Sequence, residues 1–118
     1  MAPKTLNDQT IDEIVKRLSH FLADTFVLYV KTLNFHWNMV GPEFFMYHKL
    51  LQKQYEDLSE AADELAERIR MLGRKAPGSM NEFLKLSCLK EASVNLTQKQ
   101  MVLTLAENHE ELVEHCHK

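Results

Sequence analysis

Glycine and proline are scarce, with three of each in 118 residues, so the chain lacks the punctuation of a turn-rich β-protein. Cysteine is scarcer still. Cys88 and Cys116 stand alone in a spacing that matches no zinc or disulfide framework. No run of about 18 apolar residues is present to span a membrane. Positive charge is not in surplus either. A net charge of −3 and a pI near 6.1 exclude a general attraction to nucleic acid or anionic lipid. Met1-Ala2-Pro3-Lys4 runs straight into polar residues without the apolar core of a secretory leader, so a cytoplasmic protein is expected.

What is abundant is helix-forming residues. Ala, Leu, Glu, Lys and Met dominate, and the 45% hydrophobic and 26% charged content is ordinary for one globular all-α domain spanning 1–118. The first helix should run from about Asn7 to Asn38. Thr10-Ile11-Asp12-Glu13 has the form of a capping box, and Asn7 could cap one turn earlier. One apolar stripe follows Ile11, Val15, Leu18, Leu22, Phe26, Tyr29 and Leu33. A second follows Ile14, Phe21, Leu28 and Phe35, more than one intrachain core requires, which suggests packing against further subunits.

After Gly41-Pro42, with Pro42 suited to a first helical turn, a second helix should run to about Leu72 and stop at Gly73. Its stripe is Phe44, His48, Leu51, Tyr55, Leu58, Ala62, Leu65, Ile69 and Leu72. The short connection makes an antiparallel hairpin of two helices, each about 46 Å long. Ser79-Met80-Asn81-Glu82 opens a short helix through about Ser87. Thr97-Gln98-Lys99-Gln100 caps a last one, with Val102, Leu105, His109, Leu112 and Cys116 on its stripe. Two long helices and a shorter one leave an apolar groove for a fourth.

Four side chains in this pattern are candidate metal ligands: His36 and His48 beside the turn, then Asp63 and Glu67 along the second helix. Imidazole and carboxylate together suit iron, zinc or manganese. His48 and Asp63 are 15 residues apart on one helix, hence roughly 22 Å along its axis. One ion cannot bridge them within a chain. If all four serve one site, a second copy must bring its carboxylates to the first copy's histidines, and the motif predicts a homo-oligomer. Plainer readings exist for each residue. His36 could be a polar residue at a helix end and His48 a core histidine. Asp63 and Glu67 lie in the acidic run Glu56-Asp57, Glu60, Asp63-Glu64, Glu67, which reads as a solvated face. As a like-charge i, i+4 pair they cost a few tenths of a kcal/mol unless a cation or an arginine such as Arg68 or Arg70 relieves them.

The segment Asn34-Phe35-His36-Trp37-Asn38, then Val40-Gly41-Pro42, Phe44-Phe45 and His48, followed by Asp63 and Glu67, resembles the Dps family of mini-ferritins. The likeness extends through Ala66-Glu67-Arg68-Ile69-Arg70 and the short helix to Thr97. It implies a ferritin-like four-helix bundle with a short crossover helix, assembled into a hollow homododecamer. It also implies a ferroxidase site at a two-fold interface, with His36 and His48 from one subunit and Asp63 and Glu67 from the next. Trp37 would stand beside that site to intercept stray oxidising equivalents. Fe2+ would be oxidised to Fe3+, with hydrogen peroxide as the usual oxidant, and stored as a mineral that spares DNA from oxidative damage.

This chain departs from the family pattern in two places. Gln52 stands where many members carry a carboxylate for a second iron position, and the C-terminal long helix is expected to be missing from the domain. Two other functions stay open. One is DNA binding, weakly supported because only Lys4 precedes the first helix, with Lys16-Arg17 already inside it. The other is a helical interaction module without iron chemistry. His109, His115, Cys116 and His117 near the C-terminus suit adventitious metal binding.

Overall fold

Helix formation starts at Asn7. A computed structural model of the chain describes residues 7–92 and 96–116, with side chains as far as residue 114. Asn7 is extended, and its Oδ1 accepts the N–H of Thr10 at 2.8 Å, which opens α1 (Asp8–Asn38). The cap is therefore Asn7, and Thr10 is already the third helical residue. α2 spans Phe44–Met71 with Glu43 at its N-cap position, so Pro42 lies in the turn ahead of the helix rather than inside its first turn. Gly73 ends the hairpin at φ 80°, its N–H reaching the carbonyl of Arg70 at 2.9 Å. Arg74 then donates to Asp12 at 2.8 Å and to Asp8 at 3.3 Å, tying the end of α2 to the start of α1.

α3 (Met80–Leu86) is capped by Ser79 Oγ, which accepts from the N–H of Glu82 at 3.2 Å. α4 (Gln98–Cys116) opens on a reciprocal box. Thr97 Oγ1 accepts from the N–H of Gln100 at 3.2 Å, and Gln100 Oε1 accepts from the N–H of Thr97 at 2.8 Å. α2, α3 and α4 each pack on α1, which is the spine of an elongated body of 56 × 25 × 20 Å. Among the described residues no helix is long and apolar enough to cross a membrane.

The two stripes of α1 feed two apolar clusters. Near the turn, Val27, Leu28, Phe35 and Met39 meet Leu51 of α2, Leu89, and Met101, Leu105 and Leu112 of α4. Toward the other end, Leu22 and Ala23 meet Ala62, Ile69 and Phe83. Each fully buried large side chain here contributes about 1.5–3 kcal/mol. Leu28 and Phe35 of the second stripe are thus buried within the chain, where α4 covers them, and are not left for other subunits.

The inward face of α4 is Met101, Leu105, Asn108 and Leu112, with His109 exposed. It differs from the stripe through Val102 and His109 because buried Lys31 donates to Asn108 Oδ1 at 2.7 Å and draws that residue inward. Burial lowers the pKa of Lys31, against the opposing pull of Glu111. The crossover is fixed by buried Asp24, which accepts from Ser87 Oγ at 2.7 Å and from the Cys88 N–H at 2.9 Å. Burial, then the Asp24 charge, pushes the Cys88 thiol up to about 11.

Candidate metal site

The turn between α1 and α2 brings His36 and His48 into ring contact. Their centroids lie 3.7 Å apart with planes 18° from parallel. Two hydrogen bonds hold them there. His36 Nδ1 donates to the carbonyl of His48 at 2.8 Å, and His48 Nδ1 donates to the carbonyl of His36, also at 2.8 Å. A carbonyl oxygen only accepts, so each Nδ1 must carry its proton. In the neutral rings the lone pair is therefore on Nε2, the tautomer a metal ligand needs. The backbone of each histidine thus orients the imidazole of the other.

His36 is buried and His48 half-buried, each braced by a further ring. Tyr55 lies edge-on to His36 at 5.1 Å, and Phe44 is tilted against His48 at 5.1 Å. The sequence placed Tyr55 and Phe44 on the stripe of His48 only as core residues. The signal for more was their spacing, since Tyr55 follows His48 by seven residues and Phe44 precedes it by four, both on one helical face. Around the turn the surface is apolar and open: Trp37 is 67% exposed, Val40 76% and Phe45 69%.

Asp63 and Glu67 sit on the exposed face of α2, roughly 22 Å along the axis from His48 for Asp63. Asp63 borders an open cleft with Leu22, Phe26, Pro77 and Phe83. Among the described residues neither carboxylate has a hydrogen bond or an ion pair. Arg70 instead donates to the carbonyl of Arg74 at 3.0 Å, and among the described residues no arginine forms an ion pair with either carboxylate. No three His, Cys, Asp or Glu side chains gather into a ligand set among the described residues, so the two halves stay apart within one chain.

Gln52, one turn after His48, donates from its Nε2 to Glu56 Oε1 at 3.2 Å. Of the other sequence candidates, Lys16, Arg17 and His109 are exposed. Lys4, His117 and the side chains of His115 and Cys116 lie outside the described residues.

Comparison with known proteins places the fold in a family. The family described as the ferritin-like domain matches residues 15–118. The DNA protection during starvation protein 2 of Bacillus anthracis is 35% identical over 98 residues, covering 83% of this chain and 67% of the relative. The crystal structure of Dps from Staphylococcus aureus superposes with a TM-score of 0.85 at 36% identity, covering 92% of this chain and 71% of the other. The Vibrio cholerae structure, described as a DPS protein in a broad superfamily of ferritin-like diiron-carboxylate proteins, gives a TM-score of 0.86 at 30% identity, with coverage of 97% and 72%. Against other curated relatives the chain spans 61% or 57% of their length.

Proposed function

We propose that this chain, which belongs to the Dps branch of the ferritin-like family, oxidises ferrous iron at a site shared between two copies of itself. The ferric product is sequestered by the oligomer, and DNA is thereby spared from iron-driven damage. One observation carries the reading. His36 and His48 have both Nδ1 atoms committed to backbone carbonyls, which leaves two neighbouring Nε2 lone pairs for a cation. Unpaired Asp63 and Glu67 are the matching carboxylates, roughly 22 and 28 Å along α2 from His48 and so out of reach of the histidines of their own chain.

The chemistry follows from the ligand set. Imidazole and carboxylate hold both Fe2+ and Fe3+, so the metal stays bound through oxidation. Hydrogen peroxide is the proposed oxidant. Two Fe2+ give one electron each, the O–O bond breaks, and two protons complete two waters without free hydroxyl radical. Iron is here the substrate. The protein supplies ligands, orientation and charge, and no side-chain nucleophile takes part. A C2 contact between copies repeats every pairing, so each such interface carries two sites. The exposed rim of Trp37, Val40 and Phe45 is apolar surface for that contact. A closed homododecamer in the cytoplasm is the assembly proposed from the family resemblance.

The test is Fe2+ oxidation by peroxide, followed optically on protein whose mass is set by light scattering. Oxidation faster than in buffer, by an oligomer, and lost in His36→Ala and in Asp63→Ala alike, is expected. Unchanged oxidation in either variant would overturn the assignment.

A further inference from the structure

Between α1 and α3 lies a partly open cavity of about 230 Å3, away from the candidate iron ligands. Its apolar wall is Val27 and Val30 of α1 with Met80, Phe83 and Leu84 of α3. Val30, Met80 and Leu84 are exposed, so among the described residues this wall is left uncovered. Phe83 is fixed in it by stacking on Phe26 at 4.5 Å.

The polar lining is Lys31, Asn34 and Glu91. Lys31 is 5% exposed, and its one hydrogen bond among the described residues goes to Asn108 Oδ1 at 2.7 Å. Glu111 attracts the ammonium, but its Oε1 is taken by Asn108 Nδ2 at 3.3 Å. An ammonium carries three N–H donors, so two have no acceptor among the described residues. Buried donors and buried charge both call for a partner. Asn34 lies one turn further along the same face of α1. Its Oδ1 accepts from Asn38 Nδ2 at 2.9 Å, and its own Nδ2 has no acceptor among the described residues. Glu91 is exposed at the rim. Donors and a carboxylate thus border one small apolar chamber.

We infer that this cavity binds a free α-amino acid with an apolar side chain. The ligand's carboxylate accepts from Lys31 and Asn34, its ammonium pairs with Glu91, and its side chain lies along Val30, Phe83 and Leu84. A simple fatty carboxylate fits less well. Glu91 and Glu111 outnumber Lys31 and repel a net anion, whereas a zwitterion is neutral. Size narrows the class. A cavity of about 150 Å3 holds the six carbons of benzene, so one of about 230 Å3 suits about nine non-hydrogen atoms. Leucine, isoleucine and methionine have that count. Glycine would leave the apolar wall bare.

The test is calorimetric titration of leucine into the metal-free full chain, with saturation-transfer NMR to locate it. A ligand this small should bind with Kd of about 0.1–1 mM. Saturating the Phe83 ring should transfer magnetisation to the leucine methyls. 4-Methylpentanoate, which is leucine without its amine, should bind about tenfold more weakly, and Glu91→Gln should erase that preference. Lys31→Met should abolish binding. Because Lys31 also holds α4, a second variant keeps the test decisive. Leu84→Trp fills the cavity from an exposed position and should abolish binding with the melting curve retained. No binding of leucine at about 10 mM, the result if a second copy of the chain covers the wall, would overturn the inference. So would binding undiminished in Leu84→Trp, or leucine held no better than 4-methylpentanoate.

Discussion

Replacing Gly41 by alanine probes the turn that sets the two histidines face to face. Gly41 has φ 147°, a backbone region that L side chains rarely adopt. Holding alanine there costs about 1–3 kcal/mol. The added Cβ would also overlap Gln98 Oε1 and come within 3.0 Å of Gln98 Cδ and 3.4 Å of Gln98 Cβ at the start of α4. The amide end of Gln98 can swing away, giving up its 3.4 Å contact with Glu43 Oε2. Exposed and long, that contact is worth a few tenths of a kcal/mol. Set against the unfolded chain, alanine recovers about 0.4–1 kcal/mol of conformational entropy. The balance is a loss of about 0.2–3 kcal/mol, or a melting temperature lower by roughly 1–12 °C at about 4 °C per kcal/mol for a chain this size. Calorimetry on Gly41→Ala reads it directly. Adding Gln98→Ala should return only the steric part, leaving the φ strain. An unchanged or raised melting temperature in Gly41→Ala would refute the reasoning.

Thr97→Ala removes the hydroxyl that caps α4 and should lower stability by about 1 kcal/mol, read as a shift in urea midpoint at constant slope. The Cys88 thiol titrates near 11 in the fold against an ordinary 9.0, so the unfolded chain loses that proton first. Stability should therefore fall as pH rises through this window, and Cys88→Ser should flatten that part of the profile measured by chemical denaturation. Gln52→Glu places a like charge one turn before Glu56, costing a few tenths of a kcal/mol in metal-free protein. If the second iron position lies there, the variant should bind more Fe2+ per chain in a titration, and an unchanged stoichiometry would count against it.

Much of the architecture was legible because helical periodicity and caps are local signals. Ser79, Thr97 and Gly73 mark the boundaries of α2, α3 and α4 closely, since each satisfies backbone groups within one turn. Asn7 was harder to separate from Thr10, because both carry capping side chains and only the start of the α1 backbone decides between them. The inward face of α4 was misread because a buried lysine is not an apolar signal. Lys31 pulls Asn108 into the interior and turns His109 outward. The candidate ligands were visible as residue types at a helical spacing. The exchanged Nδ1–carbonyl bonds of His36 and His48 were not, since they depend on how closely the turn apposes the two backbones. The contact of Tyr55 with His36 crosses from α2 to α1, and one-dimensional periodicity carries no such pairing.

The central claim is that the site needs two chains, and mixing two inactive variants tests it most directly. One carries His36→Ala and His48→Ala and keeps its carboxylates. The other carries Asp63→Ala and Glu67→Ala and keeps its histidines. Dissociated, mixed in equal amounts and reassembled, they place intact histidines opposite intact carboxylates at about a quarter of all sites, because half the interfaces pair unlike chains and one of the two sites in each is whole. The expected result is peroxide-driven Fe2+ oxidation restored to about that fraction of the unsubstituted protein, while each variant alone stays at the buffer rate. Mixed oligomers that remain at the buffer rate would contradict a site shared between chains.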